Sequence, residues 1–389
     1  MKSWSRRIAS PTHAALAALA ALALQGAPAA AQGLAPGDYK VGFITENTGA
    51  LASAGQSYWN GAQLAAEEVK ATKYLGGASI VLEAKESGSD AARAIQNTNQ
   101  FVADPSVLAV SCCILSPVAG SVKPIVNEAK TPLVIFGATA AGLPQPPYVY
   151  SMTILPGPKD TATAVKVVDA IKPKTAAYIL AADNDAFKGR MNATREVLEG
   201  KGVATAGVVN VLTKDTDFTA AATQAMGLKP DVILVYATQG AAAGAITALH
   251  DRGYAKTIVG NDVLSPAPIF KKMGDTVVGV PFPVSFSDAI VETPEAKAFV
   301  AAYQKKFNAP PDIYSAQGYQ VVWFIAQGMK SLSGKPTREA LGAALAKVGT
   351  IEHQVYGGEV MKGGQAETTG TLVVSWSPEG KIVPWVAPK

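Results

Sequence analysis

The chain has 389 residues, 48% of them hydrophobic and 16% charged, a globular composition that excludes a disordered protein. Its formal net charge of +4 comes from scattered basic residues with no Lys/Arg-rich run, so nothing marks a nucleic-acid surface. The length suggests two or three domains, each large enough to bury a core.

The first thirty or so residues read differently from the rest. Lys2, Arg6 and Arg7 form a basic start, Ala14 to Leu24 is apolar, and Ala29-Ala30-Ala31 precedes Gln32. This pattern predicts a secretory signal peptide over residues 1–31 with Gln32 as the mature start. The apolar run is too short to span a bilayer. The twin-arginine pattern is incomplete and no Cys stands at the cleavage point, which favours the general secretory route without a lipid anchor. No later segment has the uninterrupted apolar length of a transmembrane helix.

Strand and helix patterns then alternate. The sequence predicts strands over Tyr39–Thr45, Ser79–Ala84, Val107–Cys112 and Leu133–Phe136, with helices over Gly61–Val69, Ala91–Val102 and Val118–Glu128. Pro124 interrupts the last of these helices. After a proline-rich crossover containing Pro144, Pro146, Pro147, Pro156 and Pro158, the pattern restarts. Helices are predicted at Thr161–Ile171, Arg190–Lys201, Phe218–Met226 and Ala241–Asp251. Strands are predicted at Thr175–Leu180, Val203–Val211, Val232–Tyr236 and Thr257–Gly260. Apolar strands between amphipathic helices imply parallel sheets covered on both faces, and two such series imply two doubly wound α/β lobes. Helices at Pro294–Phe307 and Gln317–Ser331 and strands at Gly357–Val360 and Thr371–Ser375 do not make a third core. The economical reading is a chain that crosses back and completes both lobes.

The cysteines, Cys112 and Cys113, are adjacent. An oxidising compartment would permit a bridge. Neighbouring Cα atoms across a trans peptide are closer than a disulfide usually requires, so two buried thiols are expected.

Ligands of open α/β sheets sit beyond the carboxyl ends of the strands, which directs attention to the residues that follow each strand. In the first series these include Thr48, Gly49, Ser116, Gly137, Ala138 and Thr139. Small and hydroxyl residues there let an anion approach backbone N–H groups. Ser116, before Pro117, either caps its helix or donates to a ligand carboxylate. In the second series Asp262 follows a strand; it either receives a ligand ammonium or is a solvated turn residue. Phe187 and Tyr236 either form an apolar wall or pack in the core.

The segment YKVGFITENTGALASAGQSYWNGAQLAAEEV, Tyr39 to Val69, carries T-G-x-x-A-x-x-G at Thr48 to Gly55 and G-A-x-L-A at Gly61 to Ala65. With PIVNEAKTPLVIFGATA (Pro124 to Ala140), NDAFKGR (Asn184 to Arg190), VGND (Val259 to Asp262) and PDIYSAQGYQ (Pro311 to Gln320), it resembles the leucine/isoleucine/valine-binding protein family. These are type I periplasmic binding proteins of ABC transporters for branched-chain amino acids and related acids. The resemblance covers essentially the whole chain after the leader. It implies a first lobe of residues 38–157 plus 285–365 and a second of 158–284 plus 366–389. It also implies a periplasmic location, ABC permease partners, a monomer, and no cofactor or metal.

Residue by residue, the resemblance places Ser116, Ala138 and Thr139 on the ligand carboxylate and Asp262 on its α-ammonium. Phe187 falls where the family often has Tyr before a Gly, which Lys188 replaces here. Thr238, with Tyr236, lies near another second-lobe contact. Ala54 stands where an aromatic often covers the side-chain pocket, and Ile114, Leu115 and Tyr314 would line the rest. The small Ala54 leaves room for a bulkier or aromatic acid. Asp262 argues for a retained amine, because a ligand without an ammonium would leave a buried carboxylate uncompensated.

An enzyme is the first rival reading. His250 and His353 sit in no Ser/His/Asp or metal-ligand spacing, and the chain has no G-x-S-x-G elbow or phosphate loop. A periplasmic sensor is the second rival, because the same fold serves both roles; no kinase segment is fused to the chain.

Overall fold

A computed structural model describes Met1 and residues 33–48, 51–265, 267–291, 293–356, 358–368 and 371–388. The predicted leader after Met1, and Gly49, lie outside these residues.

The first half is a β/α series: β1 (Gly37–Thr45), α1 (Ala52–Ala71), β2 (Ala78–Glu86), α2 (Ala91–Ala103), β3 (Val107–Cys112), α3 (Ser116–Glu128), β4 (Leu133–Ile135) and β5 (Val149–Ser151). The second series is α4 (Pro156–Ile171), β6 (Thr175–Ala181), α5 (Asp185–Gly200), β7 (Ala204–Val211), α6 (Thr219–Gly227), β8 (Val232–Tyr236), α7 (Gln239–Asp251), β9 (Thr257–Val259) and α8 (Ala267–Met273). Then follow β10 (Phe282–Val284), α9 (Pro294–Phe307), α10 (Ile313–Lys330), α11 (Arg338–Leu345), β11 (Glu359–Lys362), β12 (Gln365–Thr368), β13 (Leu372–Trp376) and β14 (Ile382–Pro384). Among the described residues no helix is long and apolar enough to cross a membrane.

Strands β1 to β5 form one parallel sheet in the order β5-β4-β3-β1-β2, extended beyond β5 by the β12–β11 hairpin. Strands β7-β6-β8-β9 form a second parallel sheet, and β10-β13-β14 a small antiparallel one. The core strands are apolar without alternation because helices cover both faces; β3 and β8 are buried at every residue. The buried apolar residues sort by segment. One packing cluster draws on residues 164–284 and 373–385. The others draw on 39–154 and 286–366. The clusters describe a two-lobed α/β fold, and membership passes from one lobe's cluster to the other's between Ile154 and Ala164, between Val284 and Phe286, and between Ala366 and Val373.

Several segments depart from the expected boundaries. Helices α1, α4 and α5 begin several residues earlier than the apolar periodicity shows, because their first turns are polar or proline-bearing. Helix α3 runs through Pro124, and Leu115 rather than Ser116 is its N-cap. Where free thiols were expected, the structure joins Cys112 and Cys113 in a disulfide across a cis peptide bond, both residues fully buried.

Helices α1 and α10 make the closest crossing. A Cβ on Gly61 would lie 1.9 Å from the Ser315 carbonyl oxygen, and one on Gly318 would lie 2.0 Å from that of Tyr58. Only glycines allow this approach, and it sets Tyr58 of α1 against Gln317 and Tyr314 of α10. We expect Gly318→Ala to cost about 1–3 kcal/mol in urea denaturation, because backbone must move. The control Gly120→Ala, with nothing near its Cβ, should be neutral or slightly stabilising. Equal effects would contradict the close-packing account.

Glu359, at the start of β11, is fully buried. Burial pushes its carboxyl up to about 8, opposed only by the hydrogen bond from Gln320 Nε2. A folded-state pKa above the ordinary 4.5 means that stability is lost as pH rises from that value toward 8. Glu359→Gln should therefore melt above the native protein at pH 8, with the gap closing by pH 5. Parallel melting profiles across that range would contradict a neutral Glu359.

Candidate functional site

A cavity of about 300 Å³ lies between the lobes. The first lobe contributes Tyr58, Gly137, Thr139, Thr153, Ile313, Tyr314 and Gln317; the second contributes Lys159, Gln239, Asp262, Val263 and Pro283. Ser285, at a crossing, also lines it. A larger groove of about 880 Å³ runs past Lys174, Asp231 and Thr257 on the second lobe. It opens at the amino ends of β6, β8 and β9, the end opposite to where such sheets take ligands, so the interlobe cavity is the candidate site.

The first-lobe wall is aromatic. Tyr58 is 2% exposed; its ring lies 4.5 Å from Phe136 and 5.4 Å from Tyr314, centroid to centroid. Its hydroxyl donates to Gln317 Oε1 at 2.7 Å, so the ring is fixed by packing and by a hydrogen bond. The loop after β1 is tied down by two carboxylates. Glu86 accepts from Thr45 Oγ1, Asn47 N, Thr48 Oγ1 and Gly88 N at 2.7–3.0 Å. Burial pushes the Glu86 carboxyl up, but these bonds outweigh it and leave it below its usual range. Buried Glu46 accepts from Ile114 N at 2.7 Å and from the Ser89 hydroxyl.

A charged cluster lies on the second-lobe side. Arg190 grips Asp160 with Nε at 2.5 Å and Nη2 at 3.0 Å, and Nη2 also lies 2.5 Å from Asp262 Oδ1. The Arg190 and Asp160 side chains are 11% and 2% exposed, that of Asp262 32%. Strand β9 ends just before Asp262, and Asn261 fixes the turn by accepting from Val263 N and donating to the Ala237 carbonyl. Burial raises the Asp160 carboxyl to about 6 against the pull of Arg190. Burial also works on Asp262, but Arg190 and Lys159 win and hold it below its usual value. Lys159 is 6% exposed, and burial lowers its ammonium pKa despite Asp262 and Asp160. Its Nζ donates to Ser285 Oγ at 2.5 Å.

Of the residues singled out from the sequence, Gly137, Thr139, Asp262 and Tyr314 line the cavity. Ser116 stands behind it. Its Oγ accepts from Thr139 N at 3.1 Å and Ala140 N at 3.0 Å, so the Thr139 amide, expected to face a ligand, is turned onto this hydroxyl together with that of Ala140. Ala138 is buried, with its N–H given to the Cys113 carbonyl. Phe187 is buried beneath the Arg190 guanidinium, 4.9 Å from ring centroid to Cζ, and so supports the charge cluster rather than a ligand. Tyr236 is core, and Thr238 is the N-cap of α7, next to cavity-lining Gln239. Ala54 and Ile114 pack partly buried against the first-lobe core, while Leu115 is 40% exposed; none of the three lines the cavity.

Sequence reasoning missed Lys159, Ser285, Gln317 and Tyr58. The Pro-Gly-Pro that precedes Lys159 marked the crossing, the only available signal for that residue. One expectation needs correcting outright. Asp262 is not left uncompensated without a ligand ammonium, because Arg190 of the same lobe already pairs with it.

Removing one partner of a buried ion pair is costly because the other charge stays buried. Arg190→Met should therefore lose about 3–5 kcal/mol in chemical denaturation, and Asp262→Asn much less, since Asp262 is a third exposed. A loss below about 1 kcal/mol for Arg190→Met would contradict a buried triad.

The family model described as periplasmic binding protein matches residues 38–378. A Leu/Ile/Val-binding protein, BraC3 of Rhizobium johnstonii, is 27% identical over 317 residues, covering 80% of this chain and 84% of that one. Among solved structures, the branched-chain amino acid transporter substrate binding protein LivJ from Streptococcus pneumoniae, in complex with isoleucine, matches with a TM-score of 0.73 at 25% identity, over 90% of this chain and all of that one. A solute binding protein from R. palustris in complex with 4-hydroxybenzoate matches with a TM-score of 0.74 at 20% identity, over 90% and 95%. Two lobes, a cavity lined from both, and a match across nearly all the described residues lead to one conclusion: the chain belongs to the periplasmic binding protein family.

Proposed function

We propose that the protein is the solute-binding component of an ABC importer: exported, processed near Ala31, and closing over a small organic acid in the periplasm without altering it. The carrying observation is the cavity of about 300 Å³ lined from both lobes, at the lower end of the roughly 300–1,000 Å³ range of small-molecule sites. The relatives support this reading, since their names and bound ligands span branched-chain amino acids and aromatic acids.

A ligand touching Tyr58 and Tyr314 on one side and Asp262 or Gln239 on the other makes its full set of contacts only when the lobes are together. Binding therefore shifts an open–closed equilibrium. We take the first lobe as 38–157 plus 285–368. This moves the last crossing three residues beyond the sequence-based boundary at 365, because β12 pairs within the first-lobe sheet. The closed form would be the one presented to the permease.

The test is a thermal-shift screen of the exported protein against amino acids, aromatic acids and aliphatic acids, followed by small-angle scattering. A true ligand at a hundred times its dissociation constant stabilises by about 2.7 kcal/mol. It should raise the melting temperature and reduce the radius of gyration. A turned-over compound in the mixture, or no shift across the whole panel, would contradict the proposal.

A further inference from the structure

We infer that Lys159 and Ser285 hold the ligand's carboxylate at the hinge, and that the ligand is an organic acid lacking an α-ammonium. This rests on the binding-protein reading above and names the substrate class of that same cavity.

Lys159 Nζ is the unusual group. Its neighbouring carboxylates, Asp160 and Asp262, are both engaged by Arg190. Among the described residues none of them comes within ion-pair distance of Lys159. Of its three N–H donors, one goes to Ser285 Oγ. Asp160 and Asp262 act on this buried ammonium through space but neither pairs with it directly, a costly state for a buried cation, and its Nζ lines the interlobe cavity. Ser285 is 4% exposed and lines the same cavity. Its oxygen accepts from Lys159, so its own O–H is free to donate. An ammonium and a hydroxyl thus converge where a carboxylate would complete both. Lys159 lies in the first turn of α4, just after one crossing, and Ser285 sits on another, so the anion would bridge two hinge segments.

The acid that a ligand ammonium would pair with is already engaged. Asp262 is the only acid among the lining residues, and its Oδ1 is held by Arg190 at 2.5 Å. A zwitterion would bring its positive end beside Lys159 and Arg190 while sharing a carboxylate already paired. The arrangement rejects an amine by supplying the cation internally. Tyr58, Tyr314 and Ile313 offer an apolar and aromatic wall for the rest of the molecule.

Calorimetry on the exported protein with matched pairs tests this directly: 3-phenylpropanoate against phenylalanine, 4-methylpentanoate against leucine, and 4-hydroxybenzoate against its methyl ester. The amine-free acids should bind roughly tenfold or more tighter than their amino partners, and the ester should be weaker than its acid by about 30-fold or more. Lys159→Met should weaken the acids by about 100-fold with a cooperative melt retained, and Ser285→Ala less. The ester comparison uses the native chain and so stands even if Lys159→Met fails to fold. Tighter binding of the amino acids, or an ester equal to its acid, would overturn the inference while leaving the solute-binding role intact. Failure of every acid and amino acid to bind would overturn both.

Discussion

The ion triad of Arg190 with Asp160 and Asp262 sets the chemistry of the cleft. Charges taken out of water are tolerable only when paired with good geometry, and Arg190 supplies three contacts at 2.5–3.0 Å to two carboxylates at once. Its fork shape matters, since a planar guanidinium fixes two donors on one acid while reaching another, a geometry that a lysine's rotatable donors do not preset. By taking the direct contacts of both acids, Arg190 leaves the neighbouring Lys159 without an ion pair of its own. In the proposed complex a ligand carboxylate supplies that partner.

The rest of the molecule keeps this constellation in place. Strand β9 and the Asn261 turn deliver Asp262, Phe187 floors the guanidinium, and α4 starts at the crossing that carries Lys159 and Asp160. On the facing lobe the Gly61–Gly318 crossing brings α1 and α10 near enough to seat Tyr58 against Gln317. Loop residues that would otherwise be free to follow a ligand are spent on structure: Thr48 on Glu86, and the amides of Thr139 and Ala140 on Ser116. The first-lobe wall is thus rigid, and the adaptable step is the relative position of the lobes.

Much of the fold was legible in the sequence because long apolar strands alternating with amphipathic helices permit few arrangements. Strands Val107–Cys112 and Val232–Tyr236 and helix Pro294–Phe307 fall where the pattern puts them. The short strands Val149–Ser151 and Phe282–Val284 were not legible, since one follows a proline-rich stretch and the other contains Pro283, both of which read as loop. The strand-end rule found Asp262 and Thr139. It could not find Lys159 or Ser285, which lie on crossings rather than strand tips. Nor could it foresee that Arg190, present in the NDAFKGR segment, reaches back to Asp160 thirty residues earlier; that pairing exists only in three dimensions.

The most direct measurement is a crystal structure of the protein with an amine-free acid bound. The account predicts a carboxylate oxygen about 2.7–2.9 Å from Lys159 Nζ, a second contact to Ser285 Oγ, and Arg190 still bridging Asp160 and Asp262. A carboxylate seated on the Ser116–Thr139 loop, with Lys159 Nζ out of reach, would contradict it.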